Sequence, residues 1–201
     1  MTPRMVESAT INAQAQFQQQ RTSTTWFHHY AAVPELLGKA STLLGVEDLR
    51  LWEEPQTVRY RPGEKFSWHL DALPPVETGA SKGGQRTATL LVYLTDLDEN
   101  FGGATAFRDL GPLRVRPRKG TALLFFPTFG GEPGCPLDLR TLHAGEAVSQ
   151  QRNAKTKWIA QIWLHKKPYP PAVPRGNSHA AAEAAVADFT NVWRAKANHR
   201  S

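Results

Sequence analysis

The feature that most constrains this chain is a long series of short apolar segments between Leu49 and Leu164, separated by residues typical of turns. Two of them, "TATLLVYL" (87–94) and "GTALLFFP" (120–127), are almost continuously apolar and predict buried strands. Strand character is also present in "QTVRY", "EKFSWHLD", "TAFRD", "LRVRP" and "KWIAQIWLH". So many strands with little helix between them predict a β-sandwich or barrel.

Helices are predicted on both sides of this strand-rich region. "VPELLGKASTLLG" (33–45) has Pro34 in its first turn and Gly45 at its end. Its apolar residues fall on one face and are Leu36, Leu37, Ala40, Leu43 and Leu44. The first twenty residues are polar and Gln-rich, which predicts a short strand or a loose arm.

A Pro-rich connector, "KKPYPPAVPRGN" (166–177), leads to a second predicted helix that starts near Ser178. We expect its apolar stripe to pack against the sheet, with partner binding as the alternative. The stripe consists of Ala182, Ala185, Val186, Phe189 and Trp193.

Composition limits where the protein works and what it binds. No apolar run is long enough to span a bilayer, and "MTPRMVESATINAQAQ" lacks the apolar core of a signal peptide. The single cysteine, Cys135, lies in a loop-like stretch, excludes an internal disulfide and fits a reducing compartment, so we expect a cytoplasmic protein without a membrane partner. The net charge of +6 permits a polyanionic partner, but no nucleic-acid-binding motif accompanies it.

A candidate metal site lies in "WHLDALPP" (68–75). Residues two apart on a strand share a face, so His69 and Asp71 point the same way if the strand continues through Asp71. An imidazole and a carboxylate side by side can hold a divalent metal, and they can equally form a plain hydrogen-bonded pair at the end of a strand.

A second histidine has to come from elsewhere in the chain. His143, which begins another segment with strand character, and His165 are the candidates, because the remaining histidines lie near the predicted helices. The remaining histidines are His28, His29, His179 and His199. Two histidines and one carboxylate leave three positions of an octahedral metal open, which suits a non-haem Fe(II) that binds a co-substrate and O₂ better than it suits zinc.

From about Arg21 to Leu164 the chain resembles the Fe(II)/2-oxoglutarate-dependent dioxygenases, and within them the prolyl 4-hydroxylase family. The matching blocks occur in the family's order and are "RTS", "VRYRPGEKFSWHLD", "GGQRTATLLVYL", "FGGATAF", "RVRPRKGTALLFF", "LHAG" and "KWIAQIWL". The resemblance implies a double-stranded β-helix, a jelly roll whose mouth holds iron through His69, Asp71 and His143. The expected dioxygenase domain spans residues 1–166. Within it the jelly roll occupies 51–166, and residues 1–50 support it with a strand and a helix. Residues 167–201 form the connector and the C-terminal helix, which packs on the domain.

The resemblance also implies a binding site for the co-substrate. Lys157 would bind the far carboxylate of 2-oxoglutarate, as a dicarboxylate in an apolar barrel needs a buried cation. The spacing between His143 and Lys157 is longer than the family usually shows, which leaves Lys155 as an alternative. Tyr93 would help to bind the same carboxylate and Tyr60 would line the pocket near the metal, although both could be core aromatics.

The activity implied by the family is hydroxylation of a prolyl residue in a peptide or protein, coupled to conversion of 2-oxoglutarate and O₂ to succinate and CO₂, with ascorbate as a candidate reductant. The Asp71 carboxylate favours hydroxylation over halogenation. The alternatives are a dioxygenase acting on a nucleic acid or small molecule, and a non-catalytic metal-binding jelly roll. "DALPPVETGASKGG" (71–84) is predicted to be a mobile lid that, with the N-terminal segment, selects the substrate.

Overall fold

The computed structural model describes residues 4–6, 21–79, 82–111, 113–170 and 178–198. They form two antiparallel sheets and two α-helices, joined by loops and short 3₁₀ turns. The strands are β1 Arg4–Val6, β2 Thr24–Phe27, β3 Gln56–Tyr60, β4 Phe66–His69, β5 Arg86–Tyr93, β6 Thr105–Phe107, β7 Arg114–Val115, β8 Ala122–Phe125, β9 His143–Gly145 and β10 Lys157–His165. The helices are α1 Pro34–Leu44 and α2 Ser178–Asn198. This mainly β architecture with flanking helices confirms the predicted jelly-roll class.

The larger sheet has the strand order β1-β2-β3-β10-β5-β8, and the smaller sheet has the order β4-β9-β6-β7. Successive side chains of β10 alternate between two environments. Ile159 packs with Val58 and Tyr93 in an apolar cluster on the side of the smaller sheet, whereas Ile162 packs with Leu90 in a cluster under the helices. The site described below lies on the first of these two sides.

β3 and β4 do not pair and lie in different sheets, but the connection between them has the turn that its sequence predicts. In "RPGE" (61–64) the Glu64 N–H donates to the Arg61 carbonyl oxygen over 2.9 Å, and Gly63 has φ +85°. Pro at the second position and a positive-φ Gly at the third are the requirements of a type II turn.

Helix α1 begins at Pro34 and ends before Gly45, whose φ of +66° provides the left-handed cap. Leu37 and Ala40 are buried, but Leu43 is 60% exposed, so the apolar face is narrower than predicted. Neither helix in the described part of the chain is long and apolar enough to cross a bilayer.

Helix α2 packs against α1, and its buried residues Ala182 and Val186 join the cluster that also contains Leu90 and Ile162 of the larger sheet. The predicted stripe therefore covers the sheet together with α1 rather than on its own. The expectation for residues 7–20 lies outside the described residues, while β1 pairs with β2 at the far edge of the larger sheet.

The prediction of a buried strand is correct for β5 and wrong for "GTALLFFP". β5 lies between β10 and β8 and is buried over most of its length, but β8 is the last strand of its sheet. Ala122 is exposed and Phe126 is 52% exposed, because only one side of β8 is covered by a neighbouring strand. An apolar run alone does not distinguish a central strand from an edge strand.

Candidate metal centre

Strand pairing brings two histidines together. β4 and β9 are antiparallel neighbours in which His69 is paired with His143, and their ring centroids lie 4.1 Å apart. Asp71 follows β4 in a bend, so the strand does not continue through it as the shared-face argument required. The bend nevertheless places Asp71 Oδ1 3.6 Å from His69 Nε2 and 3.9 Å from His143 Nε2. The three potential ligand atoms lie within 4.8 Å of one another.

Hydrogen bonds orient all three groups toward the same point. His69 Nδ1 lies 2.8 Å from the Ser67 carbonyl oxygen, and His143 Nδ1 lies 2.9 Å from the Thr141 carbonyl oxygen. A carbonyl can only accept, so each Nδ1 carries the proton and each Nε2 keeps a free lone pair. The Thr89 hydroxyl donates to Asp71 Oδ2 over 2.8 Å and leaves Oδ1 facing the histidines.

The protonation states suit metal binding. Burial, reinforced by the charge of His143, lowers the pKa of His69 to about 3, so its imidazole is neutral at physiological pH. Burial alone would raise the pKa of Asp71, but the charges of His143, His69 and Arg86 and the Thr89 hydrogen bond lower it to about 2. A neutral imidazole and an ionised carboxylate are the forms that coordinate a cation.

Aromatic rings enclose the two histidines. Phe66 stacks on His69 with ring centroids 3.6 Å apart, while Phe107 and Phe125 lie 5.4 and 4.9 Å from the His143 ring. Two nitrogens and one carboxylate oxygen in a buried pocket fit a non-haem Fe(II) that keeps open positions. In the described part of the chain this is the one group of three or more potential metal-ligating side chains.

Lys157 lies in the same pocket, at the start of β10, and only 1% of it is exposed. Burial lowers the pKa of its ammonium to about 7, an effect that the charge of Glu146 partly offsets. Glu146 itself pairs with Arg114 over 2.6 Å, and no carboxylate among the described residues forms an ion pair with Lys157. Lys155, the alternative, is exposed.

The two predicted tyrosines lie on either side of this lysine. Its Nζ lies 4.7 Å from the Tyr60 ring centroid and 5.8 Å from that of Tyr93. Tyr60 lines the pocket, and burial raises the pKa of its hydroxyl. The Tyr93 hydroxyl donates to Thr105 Oγ1 over 2.7 Å, and Thr105 rather than Tyr93 forms part of the pocket wall. Contact of either tyrosine with a co-substrate stays a prediction.

The other histidines with described side chains do not join the centre. His165 is buried, but its Nε2 lies 2.6 Å from Glu53 Oε1, and Glu53 also pairs with Arg86. His28 Nε2 lies 2.9 Å from Thr57 Oγ1. His179 and His199 have no described side chains.

Sequence reasoning missed several residues that shape the pocket. Thr89 could have been found, because it shares a face of β5 with Tyr93, but its bond to Asp71 depends on the bend after β4. The Glu53–Arg86–His165 network could not have been found, because its members come from three separate segments. Arg86 also donates to the Asp71 carbonyl oxygen over 3.3 Å, which links this network to the metal centre.

Comparison with known proteins identifies relatives of this pocket and fold. Residues 55–165, more than half of the chain, match the family model of the 2OG-Fe(II) oxygenase superfamily. The chain is 32% identical over 119 residues to Probable prolyl 4-hydroxylase 9 of Arabidopsis thaliana. The aligned region covers 53% of this chain and 38% of the relative. It is 32% identical over 170 residues to Probable prolyl 4-hydroxylase 4 of the same plant, covering 70% of this chain and 54% of the relative.

Among solved structures, the viral collagen prolyl hydroxylase vCPH from Paramecium Bursaria Chlorella virus-1, in its 2OG complex, is similar with a TM-score of 0.60 and 27% identity. That similarity covers 73% of this chain and 80% of the viral chain. The chain spans 38% and 54% of the lengths of the two plant relatives.

Proposed function

Because the chain belongs to the 2OG-Fe(II) oxygenase superfamily, we propose that it uses Fe(II), 2-oxoglutarate and O₂ to hydroxylate a prolyl residue of a peptide or protein. One observation supports this function above the others. A His-Asp-His group whose ligand atoms lie within 4.8 Å of one another shares its pocket with a buried lysine, to which the described residues offer no carboxylate partner.

Each side chain has a distinct task in this function. His69 Nε2, His143 Nε2 and Asp71 Oδ1 would hold the metal, which when bound supplies the redox chemistry that couples 2-oxoglutarate decarboxylation to hydroxylation. The Lys157 ammonium would bind the far carboxylate of 2-oxoglutarate and fix the length of ligand that the pocket accepts. Leu91 and Ile159 line the pocket and would exclude water from the reacting groups.

The names of the relatives support the proposed substrate class. Both plant relatives are named prolyl 4-hydroxylases, and the viral structure is named a collagen prolyl hydroxylase. These names support a peptidyl proline as the substrate. Ascorbate as a reductant of the metal is proposed from the family resemblance alone. The chain covers only part of the plant relatives, so their substrate is a proposal for this chain. A proline-containing peptide is therefore the substrate to test first.

The test is turnover and co-substrate binding in the same preparations. We expect the anaerobic Fe(II) protein to develop a weak visible charge-transfer band with 2-oxoglutarate, and to form succinate in air when proline-containing peptides are added. His143→Ala should lose both signals while the protein stays folded. His28→Ala, a change at a half-buried histidine bonded to Thr57, is the matched control and should keep both. Normal succinate formation by His143→Ala would remove His143 from the ligand set.

Two other functions give different results in this test. A dioxygenase for a nucleic acid or small molecule would show the charge-transfer band without peptide-dependent succinate. A non-catalytic metal-binding module would bind Fe(II) but show neither the band nor succinate. The buried Lys157 favours a 2-oxoglutarate-dependent dioxygenase, whatever its substrate, over a non-catalytic module, because a structural metal site has no need for a nearby unpaired cation.

A further inference from the structure

We propose that Arg21 is a positioning residue of the metal centre, which holds His69 in place by clamping Phe66 against its ring. This proposal rests on the metal site of the proposed function, and Arg21 itself lies outside the pocket wall. It concerns how tightly and in what geometry a metal is bound.

Three side chains form one continuous stack. The Phe66 ring lies 3.6 Å from the His69 ring with an angle of 21° between their planes. The guanidinium carbon of Arg21 lies 4.8 Å from the Phe66 centroid, within the distance of a cation–π interaction. An isolated antiparallel bridge between Arg21 and Phe66 holds the two backbones together.

The guanidinium is held in this place at a cost. Arg21 Nε donates to the hydroxyl of the buried Ser23 over 2.9 Å, but its Nη2 group is buried and has no hydrogen-bond partner among the described residues. A buried unpaired donor is destabilising. The stack with Phe66 therefore explains the position of Arg21 better than a gain in stability does.

The two histidines differ in how their rings are supported. His143 is packed between Phe107 and Phe125, two core residues that are 2% and 7% exposed. His69 has the Ser67 carbonyl at one ring edge and, for its face, a Phe66 that is only partly buried. Phe66 packs against the cluster that contains Ile159, and Arg21 adds a contact to its ring from outside that cluster. Without Arg21, Phe66 can move away and the His69 Nε2 lone pair loses its fixed direction.

The experiment measures binding of Co(II), used as a spectroscopic probe, to metal-free protein. Removing a residue that orients a metal ligand weakens metal binding by roughly 10- to 100-fold. We expect Arg21→Ala to weaken Co(II) binding about tenfold and to change the Co(II) ligand-field bands. Phe66→Leu should have a similar effect, and the double variant should bind no more weakly than Phe66→Leu alone, because Arg21 acts through that ring.

Arg59, in β3 of the larger sheet, provides a matched control. Its guanidinium also donates to a hydroxyl, that of Thr24, over 2.9 Å, and lies 5.1 Å from an aromatic ring, that of Trp26. Arg59→Ala should leave Co(II) affinity and spectrum unchanged. A loss in Arg59→Ala equal to that in Arg21→Ala would show a general effect on the fold and overturn the proposal.

The remaining outcomes separate this proposal from the proposed function. Wild-type Co(II) binding by Arg21→Ala together with loss of binding by His69→Ala would overturn the positioning role and leave the metal site standing. Retained binding by His69→Ala would overturn both. Arg21→Gln removes the charge but keeps a polar side chain and serves if the alanine variant fails to fold. A glutamine variant that binds Co(II) like wild type would overturn the role of the cation–π contact.

Discussion

Lys157 is the residue whose energy depends most on a ligand. Its ammonium lies among the rings of Tyr60 and Tyr93, which offer cation–π attraction but no negative charge. Burying a cation without a partner is costly, and the pKa of about 7 reflects that cost. A bound carboxylate would relieve it, so the protein is arranged to gain binding energy from an anion at this position.

Replacing this lysine should therefore separate co-substrate binding from metal binding. Breaking a buried charge pair costs about 3–5 kcal/mol, which corresponds to roughly two to four decades in affinity. We expect Lys157→Ala to weaken 2-oxoglutarate by that factor in an anaerobic titration of the Fe(II) protein, while Fe(II) affinity changes little. Lys155→Ala, two residues earlier and exposed, is the control and should behave as wild type. Loss of affinity in the Lys155 variant alone would show that the other lysine binds the co-substrate.

The lowered pKa of Lys157 also predicts a pH dependence. Below pH 7 the ammonium already carries its charge, and 2-oxoglutarate binds without proton uptake. Above pH 7 the free amine is neutral, binding takes up a proton, and affinity should fall up to about tenfold per pH unit. Titrations between about pH 6.5 and 9 measure this slope. Lys157→Arg stays charged throughout this range, so its weaker binding should be nearly independent of pH, and an equal slope in both proteins would assign the titration to another group.

At the scale of elements, a glycine loop shapes the lysine site. Gly103 precedes β6, has φ +72° and donates its N–H to the Ala147 carbonyl oxygen over 3.0 Å. A Cβ at this position would lie 2.8 Å from Leu97 Cδ1 and 3.6 Å from Lys157 Cδ. The glycine therefore serves the backbone conformation and leaves room for the Leu97 side chain, while a Cβ would only be in ordinary contact with Lys157.

Gly103→Ala should reduce stability by more than its backbone conformation alone would. A left-handed conformation costs a non-glycine residue about 1–2 kcal/mol, and overpacking against Leu97 adds roughly 1–3 kcal/mol. The new Cβ would be in ordinary van der Waals contact with Lys157 Cδ, so 2-oxoglutarate affinity should change little. Gly111→Ala is the control, because Gly111 has φ +66° but a Cβ there would meet no described atom within 4 Å, so only the backbone cost applies. Urea unfolding measures the stability of both variants, and a loss of 2-oxoglutarate affinity in Gly103→Ala would show that the substitution displaces Lys157.

An element can be predicted from the sequence when the residues that determine it are adjacent in the chain. The α1 cap at Gly45, which was predicted correctly, and the type II turn at Arg61–Glu64 each depend on a few adjacent residues. The exposed side of β8 depends on which strands flank it, information that is absent from the segment "GTALLFFP". The alignment of Asp71 with His69 was expected for the wrong reason, because a bend rather than a continued strand produces it.

The candidate site follows the same division. His69 and Asp71 are close in sequence and could be proposed from it directly, but the choice between His143 and His165 needed the family resemblance. In the structure the pairing of β4 with β9 places His143 beside His69, and Glu53 engages His165. Such contacts join residues that are far apart along the chain, and no local pattern encodes them.

At the scale of the whole molecule, the metal pocket and the helices lie on opposite sides of the larger sheet. The apolar cluster under α1 and α2 includes Leu90 and Ile162, whereas their sequence neighbours Leu91 and Gln161 line the pocket. Successive side chains of β5 and β10 point to opposite faces of the larger sheet, so the pocket and the helical layer are connected only through the sheet itself. Stability and ligand binding should therefore respond separately to changes in the helical layer.

Gly38 is the position that tests this independence. It lies where α1 contacts α2, and a Cβ there would lie 2.6 Å from Thr190 Oγ1 and 2.8 Å from Phe189 Cδ1. Gly38→Val should force the helices apart at a cost of roughly 1–3 kcal/mol, which lowers the melting temperature by about 2–4 °C per kcal/mol in a chain of this size. Leu43→Val, on the same helix but 60% exposed, should change it little. Fe(II) and 2-oxoglutarate affinities of folded Gly38→Val should equal those of wild type, because the substitution reaches the pocket only through an intact sheet. A parallel loss of ligand affinity and stability would instead show that the helical layer sets the geometry of the metal centre.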